Sequence, residues 1–429
     1  MSKSDHWNAG RGEKIGKGAF TMFALILLLV CLLPLGTVAG AAEKGPIKIG
    51  FIAPHTGNFA QLGMDMVAGF KMFLEEINYT VAGRKIELIV EDEGEGPATA
   101  VTKARKLITA DKIHLMAGVF LNPCAYAVAP ICIEAGIPFI VTASGNDDLT
   151  QRKRSRLILG LTYTSSDLGH PAGDYVYNKL GWRKAVIVGW DFGFGHEVAG
   201  GFQRVFEDAG GKVIQKIWAP LNTMDFSPYV AGLKKDADGI FDVVTGSSSV
   251  RFIRALRTAG LLNKWKVVAA GTATDEWILP ALGDSGLGVY STYNWSAVLD
   301  NPENKKFVDK VHKQLKKEAT VGMATDYTGA DWITRAIKAV NGDVENREKF
   351  LAALRAIEIP DSIRGPLKLD DYGHATQNLY VRRIDKVNNN YQNTVVETYP
   401  RVSQFWKYDP ETFLKSPPYN RDYPCKHCE

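Results

Sequence analysis

Short apolar runs alternate with longer segments of helical period from residue 47 onward, and this alternation constrains the fold more than any other feature. Residues 47–53 have the composition of a buried strand, and apolar residues then recur at helical spacing over 66–77. Near-continuous apolar strands joined by helices are typical of parallel sheets covered on both faces. The pattern predicts an α/β protein.

The alternation occurs in two series, and a chain of 429 residues is long enough for two lobes of this kind. The predicted strands lie at 47–53, 86–90, 115–120 and 137–142 in the first series, and at 185–189, 213–218, 241–245 and 267–270 in the second. Each series predicts one doubly wound sheet.

Helical segments at 304–317, 327–340 and 347–357 have too few strands after them to build a third sheet. We therefore expect them to pack back on the first lobe, so that the chain crosses between the lobes three times. The predicted first lobe is 46–162 plus 293–366. The predicted second lobe is 163–292 plus 367–398.

The first 41 residues have the pattern of an export signal. Four basic residues precede an apolar stretch at 19–35, and small residues lead up to Ala41, after which we expect cleavage. An uncleaved anchor is the alternative, but the stretch is short for a bilayer and contains Pro34. Lipid attachment at Cys31 is a second alternative, although Cys31 lies inside the apolar stretch. The sequence thus predicts a periplasmic protein.

Charge excludes some classes of partner. The leader carries four cations and two anions, so its removal lowers the formal charge of the chain from +4 to +2. A charge this small does not indicate binding to nucleic acid or to an anionic membrane.

The C-terminal residues differ in character from the rest of the chain. Residues 399–429 contain seven aromatic residues and five prolines. The prolines predict neither a regular helix nor a central strand, and we expect the rings to hold this tail on an apolar surface, with a partner-binding motif as the alternative. Cys425 and Cys428 have the spacing of either a local disulfide or half of a zinc site, and without a second ligand pair the disulfide is favoured.

Catalytic motifs are missing from the sequence. It contains no His-Glu-x-x-His, no Gly-x-Ser-x-Gly and no phosphate-binding Gly-x-x-x-x-Gly-Lys-Ser/Thr motif. We expect neither a metal nor a cofactor, and we expect the protein not to be an enzyme.

Four longer strings, taken in order, resemble one known family. They are IKIGFIAPHTGNFAQLG at 47–63, VAGRKIELIVEDEGEGPATAVTKARKLI at 81–108, AVAPICIEAGIPFIVTASGNDDLT at 127–150, and KAVIVGWDFGFGHEVAGGFQRVFEDAGGKVI at 184–214. Together they resemble the branched-chain amino-acid-binding family of periplasmic solute receptors. The resemblance implies the type I periplasmic binding fold, with two lobes joined by a three-strand hinge. It also implies a closing receptor that delivers a small solute to the membrane subunits of an ABC permease, and we expect the protein to be a monomer. An extracytoplasmic sensing domain of the same fold is the alternative.

Ligands of parallel α/β sheets bind outside the carboxyl ends of the strands, where helix N-termini present free N–H groups. In the first lobe this places Asn122, Ala143, Ser144 and Gly145 at the site, and the resemblance implies that they hold a ligand carboxylate. A turn role for Asn122 and a helix-capping role for Ser144 are the alternatives.

In the second lobe, the resemblance and the ends of the predicted strands point to Phe194, Ser247, Ser248 and Thr272 as ligand contacts, with Phe194 as an aromatic wall. Phe194 lies in the fourth of the strings above.

The second lobe also departs from the amino-acid binders of the family. The position where those receptors carry an acidic residue for the ligand ammonium is Gly271 here. Asp191 or Asp275 is the candidate substitute, and we include Asp191 among the expected site residues. The solute class therefore stays open between an amino acid, an aromatic or aliphatic acid, and an amide.

Overall fold

Residues 44–94 and 96–428 are described by the structure, a computed structural model. The predicted signal peptide at 1–41 lies outside them. Two sheets, each covered by helices, confirm the α/β fold with two doubly wound lobes. Within the described ranges, no helix combines the length and apolarity needed to cross a bilayer.

The first sheet is built from the N-terminal third of the chain. Its strands are β1 (Ile47–Ala53), β2 (Thr80–Val81), β3 (Arg84–Asp92), β4 (Leu115–Gly118), β5 (Phe139–Val141) and β6 (Ile158–Gly160). They are ordered β2-β3-β1-β4-β5-β6. All neighbours run parallel except β2, which is antiparallel to β3. β1 is central and all but one of its residues are buried, as its apolar sequence predicts.

The second sheet has nine strands. They are β7 (Lys184–Trp190), β8 (Lys212–Ala219), β9 (Gly239–Val243), β10 (Lys266–Ala270), β11 (Tyr290–Tyr293), β12 (Glu358–Ile359), β13 (Leu367–Leu369), β14 (Ala375–Val387) and β15 (Asn390–Val402). The order is β12-β13-β14-β11-β10-β9-β7-β8, with β15 paired to β14. β7 to β11 form a parallel core, and β14 joins it antiparallel to β11. The β14–β15 hairpin turns at Asn388 and Asn389, which both have positive φ, a conformation that asparagine tolerates well.

Helices cover both sheets. They are α1 (Ala60–Glu76), α2 (Pro97–Thr109), α3 (Asn122–Ala135), α4 (Ser165–Asn178), α5 (Gly193–Asp208), α6 (Ser227–Ala231), α7 (Ser248–Thr258), α8 (Leu279–Leu282), α9 (Pro302–Leu315), α10 (Val321–Ala339), α11 (Arg347–Ala356) and α12 (Pro410–Lys415).

The late helices return to the first lobe, where α10 packs on α1. A Cβ atom on Gly69 of α1 would lie 2.1 Å from the carbonyl oxygen of Met323, so only glycine permits this approach of the two helices. The buried Asp65 carboxylate of α1 also accepts hydrogen bonds from Lys317 at 2.5 Å and Thr320 at 2.9 Å. Residues about 250 positions apart thus complete one core.

Three segments cross between the lobes, at about residues 162, 294 and 377, and they are hydrogen-bonded to one another. The third crossing lies within β14, because Leu367 and Ala375 still pack in the core of the first lobe. Gln377 Nε2 donates to the carbonyl oxygen of Thr162 at 2.5 Å, and Asn294 Nδ2 donates to Gln377 Oε1 at 3.2 Å. The buried Arg364 donates to the carbonyl oxygen of Leu161 and to Gln377 Oε1, both at 2.8 Å. Burial lowers the pKa of Arg364 to about 10. One arginine therefore links the first and third crossing segments.

The C-terminal residues contain more regular structure than the prolines indicate. Strand β15 continues through Pro400 to Val402, and it pairs only with β14, so Pro400 lies on an edge strand. Pro410 begins the short helix α12, at the first-turn position where proline is tolerated. The expectation that no helix forms in this region was therefore wrong.

Residues 403–428, which we name the C-terminal segment, contact both lobes. Arg152 of the first lobe donates to the carbonyl oxygens of Phe413 and Ser416, at 3.4 and 2.8 Å. Gln203 of α5 donates to the carbonyl oxygen of Pro424 at 2.7 Å. Cys425 and Cys428 are joined as a disulfide.

Candidate functional site

A small pocket lies between the two lobes, at the carboxyl ends of the strands. As its walls stand, it has room for about 10 Å³, the space of about one water molecule, so a larger ligand requires the walls to move apart. We name it the inner cavity. Its lining residues are Phe59, Phe120, Leu121, Asn122, Ala143, Gly145, Tyr163, Phe192, Phe194, Thr245 and Thr272.

Aromatic rings from both lobes form most of the wall. Phe59 and Phe120 of the first lobe have ring centroids 4.9 Å apart, and Phe192 and Phe194 of the second lobe stack with centroids 6.3 Å apart. Tyr163 lies on a segment that crosses between the lobes and is almost fully buried. A wall built mainly of aromatic rings is suited to a flat apolar group.

The loop before α3 is held in a strained conformation at the edge of this cavity. Val119 has φ +63°, which is unusual for a β-branched residue. Its N–H donates to the carbonyl oxygen of Ile52, and the buried Glu93 carboxylate accepts from the N–H groups of Phe120 and Leu121, at 2.8 and 2.7 Å. Burial raises the pKa of Glu93 to about 7. Glu93 thereby fixes the loop that places Asn122 at the start of α3.

Polar groups are few in the inner cavity, and only some of them lack a protein partner. The Asn122 amide nitrogen donates to the carbonyl oxygen of Gly145, and the Thr245 hydroxyl accepts from Trp190 Nε1, both at 3.2 Å. The Thr272 hydroxyl is buried and has no hydrogen-bond partner among the described residues. Thr272 is thus the hydroxyl most available to a bound molecule.

No charged side chain is among the described residues that line the inner cavity. Asp191 forms ion pairs with His196 and with Arg421, each at 3.0 Å, away from the lining. Asp275 is buried, and its carboxylate accepts from the N–H groups of Glu276 and Val321. Burial, with the Glu276 charge, raises the pKa of Asp275 well above its ordinary value. Neither carboxylate is placed to receive an ammonium group.

The structure brings five of the nine residues expected from the sequence into the lining of the inner cavity. These are Asn122, Ala143, Gly145, Phe194 and Thr272.

The other four residues lie elsewhere. Asp191 is in the ion pairs described above, and the Ser144 hydroxyl donates to Asn146 Oδ1 at 2.6 Å. The Ser247 hydroxyl donates across the lobes to Asn58 Oδ1. Ser248 lines a separate groove at the mouth of the cleft and accepts a hydrogen bond from Arg251 at 2.6 Å.

Sequence reasoning missed Glu197, a buried residue in the first turns of α5. Its Oε2 atom accepts a hydrogen bond from Asn122 Nδ2 at 3.0 Å, and its Oε1 atom accepts one from the Tyr126 hydroxyl at 2.9 Å. The available signal was an acidic residue near a helix N-terminus at the expected cleft, in the string FGFGHE. Phe59, Phe120 and Tyr163 were also missed.

Comparisons with known proteins agree with this geometry. A family model described as a periplasmic binding protein matches residues 46–390. Leu/Ile/Val-binding protein homolog 6 of Brucella melitensis is 30% identical over 383 residues, covering 87% of this chain and 97% of its own.

Two solved structures are also similar. A solute-binding protein of an ABC transporter from Rhodopseudomonas palustris HaA2, in complex with p-hydroxybenzoic acid, is 32% identical with a TM-score of 0.80, covering 84% of this chain and 98% of its own. One from strain BisB5, in complex with 3,4-dihydroxybenzoic acid, is 28% identical with a TM-score of 0.80, covering 84% and 99%.

The matches confirm the family that the four sequence strings indicate. Proteins of this family are exported, non-enzymatic receptors for small solutes. The chain belongs to the periplasmic binding protein family, as an ABC-type solute-binding protein related to the Leu/Ile/Val-binding proteins.

Proposed function

We propose that the protein captures a small aromatic carboxylate in the inner cavity and delivers it to an ABC permease. The observation that carries this proposal is a cavity with five aromatic residues among its eleven lining residues and no charged one. A flat ring gains dispersion and apolar burial between such walls.

In this proposal, the ligand carboxylate lies beside the first turns of α3 and α5. The first N–H groups of a helix have no partner within it, and they favour a negative charge. Asn122 and Phe194, in the first turns of α3 and α5, both line the cavity. The free Thr272 hydroxyl supplies a further donor. The proposed ligand contacts are Asn122, Ala143, Gly145, Phe194 and Thr272.

An amino acid fits this cavity less well than an aromatic acid. Its ammonium group would be desolvated without a carboxylate partner, which costs several kcal/mol. The p-hydroxybenzoic acid and 3,4-dihydroxybenzoic acid in the two similar structures support the aromatic class.

Capture works by closure of the two lobes. The ligand touches residues of both lobes, so it binds the closed form more tightly than the open form and shifts the population toward it. The three crossing segments supply the hinge.

Calorimetry with a matched ligand series tests the proposal. Benzoate and 4-hydroxybenzoate should bind, benzamide should bind at least tenfold more weakly because it lacks the charge, and L-leucine should be weaker still. A saturating ligand at 100 times its Kd should add about 2.7 kcal/mol to the stability. Tighter binding of L-leucine than of benzoate would show that the ligand class is wrong.

Two further measurements test the transport role. Cells that lack the protein should lose high-affinity uptake of the ligand identified by calorimetry. Mass spectrometry after incubation with the purified protein should return that ligand unchanged. Uptake that is unaffected by loss of the protein would contradict delivery to a permease.

A further inference from the structure

Glu197 joins the two lobes directly. It lies on α5 of the second lobe, and its carboxyl group accepts hydrogen bonds from Asn122 at 3.0 Å and from Tyr126 at 2.9 Å. Both donors belong to α3 of the first lobe. Since donors and acceptor lie on opposite lobes, opening of the cleft would break these contacts.

The same contacts organise the inner cavity. The Asn122 amide nitrogen that reaches Glu197 also faces the carbonyl oxygen of Gly145 at 3.2 Å and the Ser165 hydroxyl at 3.1 Å. Asn122 and Gly145 both line the inner cavity. The carboxyl group of Glu197 thus holds the side chain of a lining residue through a contact between the lobes.

Other acidic groups surround Glu197. Asp147 and Asp148 of the loop after β5 raise its pKa, and Tyr126 of α3 and Ser165 of α4 hydrogen-bond to it. No lysine or arginine within the described part of the chain forms an ion pair with it. Burial, followed by the charge of Asp147, raises the pKa of Glu197 well above its ordinary value.

Asp147 is itself buried beside other ionisable groups. The N–H of Ser166 donates to its carboxylate, and burial raises its pKa to about 7 despite the nearby positive charge of Arg152. Tyr419 of the C-terminal segment and Asp167 of α4 also face it. Two buried carboxyl groups that interact do not both ionise readily, so the pair keeps a proton at neutral pH.

We propose that Glu197 is a positioning residue of the ligand site that closes the cleft in its protonated form, so that capture of the ligand takes up a proton. This inference rests on the proposed function only for the choice of benzoate as the probe ligand. Its mechanism rests on the hydrogen bonds between the lobes. In the open form the carboxyl group faces water in the cleft and ionises as an ordinary glutamic acid.

The direction of the pH effect follows from these two states. The closed form keeps its proton to a pH well above the 4.5 at which an ordinary glutamic acid loses it, because burial raises the pKa of Glu197. Binding therefore weakens as pH rises between the pKa values of the open and closed forms, and it levels off in acid, where both forms are protonated.

Calorimetric titration with benzoate from pH 6 to pH 8.5 tests this coupling, because carboxylic acids of this type are already ionised throughout the range. Wild-type affinity should fall across it, by at most tenfold per pH unit for the release of one proton. Glu197→Gln keeps an acceptor for Asn122 without a charge, so its affinity should not change with pH and should exceed that of the wild type at pH 8.5. Glu197→Ala should bind weakly at every pH, because both interlobe hydrogen bonds are lost.

Glu207→Gln is the matched control. Glu207 lies on the same helix, and its described hydrogen bond comes from Gln203 of that helix, not from the first lobe. This variant should keep the wild-type pH profile. A flat profile in the wild type, or a profile in Glu197→Gln as steep as that of the wild type, would overturn the coupling while leaving the aromatic ligand class intact.

A second measurement requires no ligand. The radius of gyration of the ligand-free protein, from small-angle scattering, should decrease from pH 8.5 to pH 6 in the wild type and stay constant in Glu197→Gln. If benzoate fails to bind at any pH, the proposed ligand class is wrong, and the scattering alone decides the role of Glu197. A wild-type radius that does not change with pH would then overturn it.

Discussion

Replacing Thr272 by valine separates a ligand contact from a structural role. The hydroxyl of Thr272 is buried, lines the inner cavity and has no partner among the described residues. Valine has nearly the same shape, so the change removes one polar group from an apolar site. In the empty protein this relieves a desolvation cost of about 1 to 3 kcal/mol. The Tm of the ligand-free variant should therefore stay constant or rise.

Binding should respond in the opposite direction. A hydrogen bond to a carboxylate contributes about 1.5 to 3 kcal/mol, so loss of the hydroxyl should weaken benzoate binding roughly ten- to a hundredfold. Thr245→Val is the contrast, because its hydroxyl accepts from the buried Trp190 N–H. That variant should destabilise the empty protein by about 1 to 3 kcal/mol. Calorimetry and thermal melts on both variants decide the question. A lowered Tm with unchanged affinity in Thr272→Val would refute the reasoning.

Three further predictions concern other parts of the chain. Phe194→Ala should weaken binding of an aromatic acid by about 1 to 2 kcal/mol, or roughly five- to thirtyfold; calorimetry checks this, and a loss below twofold would contradict a ring contact. His170 is buried among rings of the C-terminal segment and has no hydrogen-bond partner within residues 44–94 and 96–428, and its pKa is lowered by burial to about 3. Because unfolded histidine takes up a proton below about pH 6.5, His170 costs about 2 kcal/mol of stability at pH 5. His170→Phe should therefore raise the Tm more at pH 5 than at pH 8. An equal rise in Tm at both pH values would show that protonation of His170 does not cause the effect. N-terminal sequencing of exported protein should find Ala42 first, and a start before Ala39 would disprove the predicted cleavage.

Strands and helices with strong periodicity could be predicted from the sequence because they are buried on predictable faces. β1 and the late helices α9 to α11 are examples. β15 was missed, because nearly all of its residues are partly buried or exposed and its pairing depends on a hairpin turn at Asn388 and Asn389. Neighbouring asparagines are a weaker turn signal than Asn-Gly.

The site residues were predicted less completely, for a different physical reason. Loops at strand ends could be located, but the direction of each side chain depends on backbone angles and on distant partners. Ser144 is turned toward Asn146, and Ser247 pairs with Asn58, 189 positions away. Glu197 is adjacent to predicted site residues, yet its importance comes from Asn122, 75 positions away.

The packing of α10 on α1 sets the order in which the chain becomes able to fold. Thr320 hydrogen-bonds to Asp65, 255 positions earlier, so the first lobe lacks a wall of its core until most of the chain has been synthesised. At about 5 to 20 residues per second, ribosomes need on the order of 10 to 50 s to make the intervening stretch. Long-range contacts of this kind also slow folding itself. An exported protein benefits from this delay, because a chain whose core has not yet formed is still unfolded and can pass through a translocation channel.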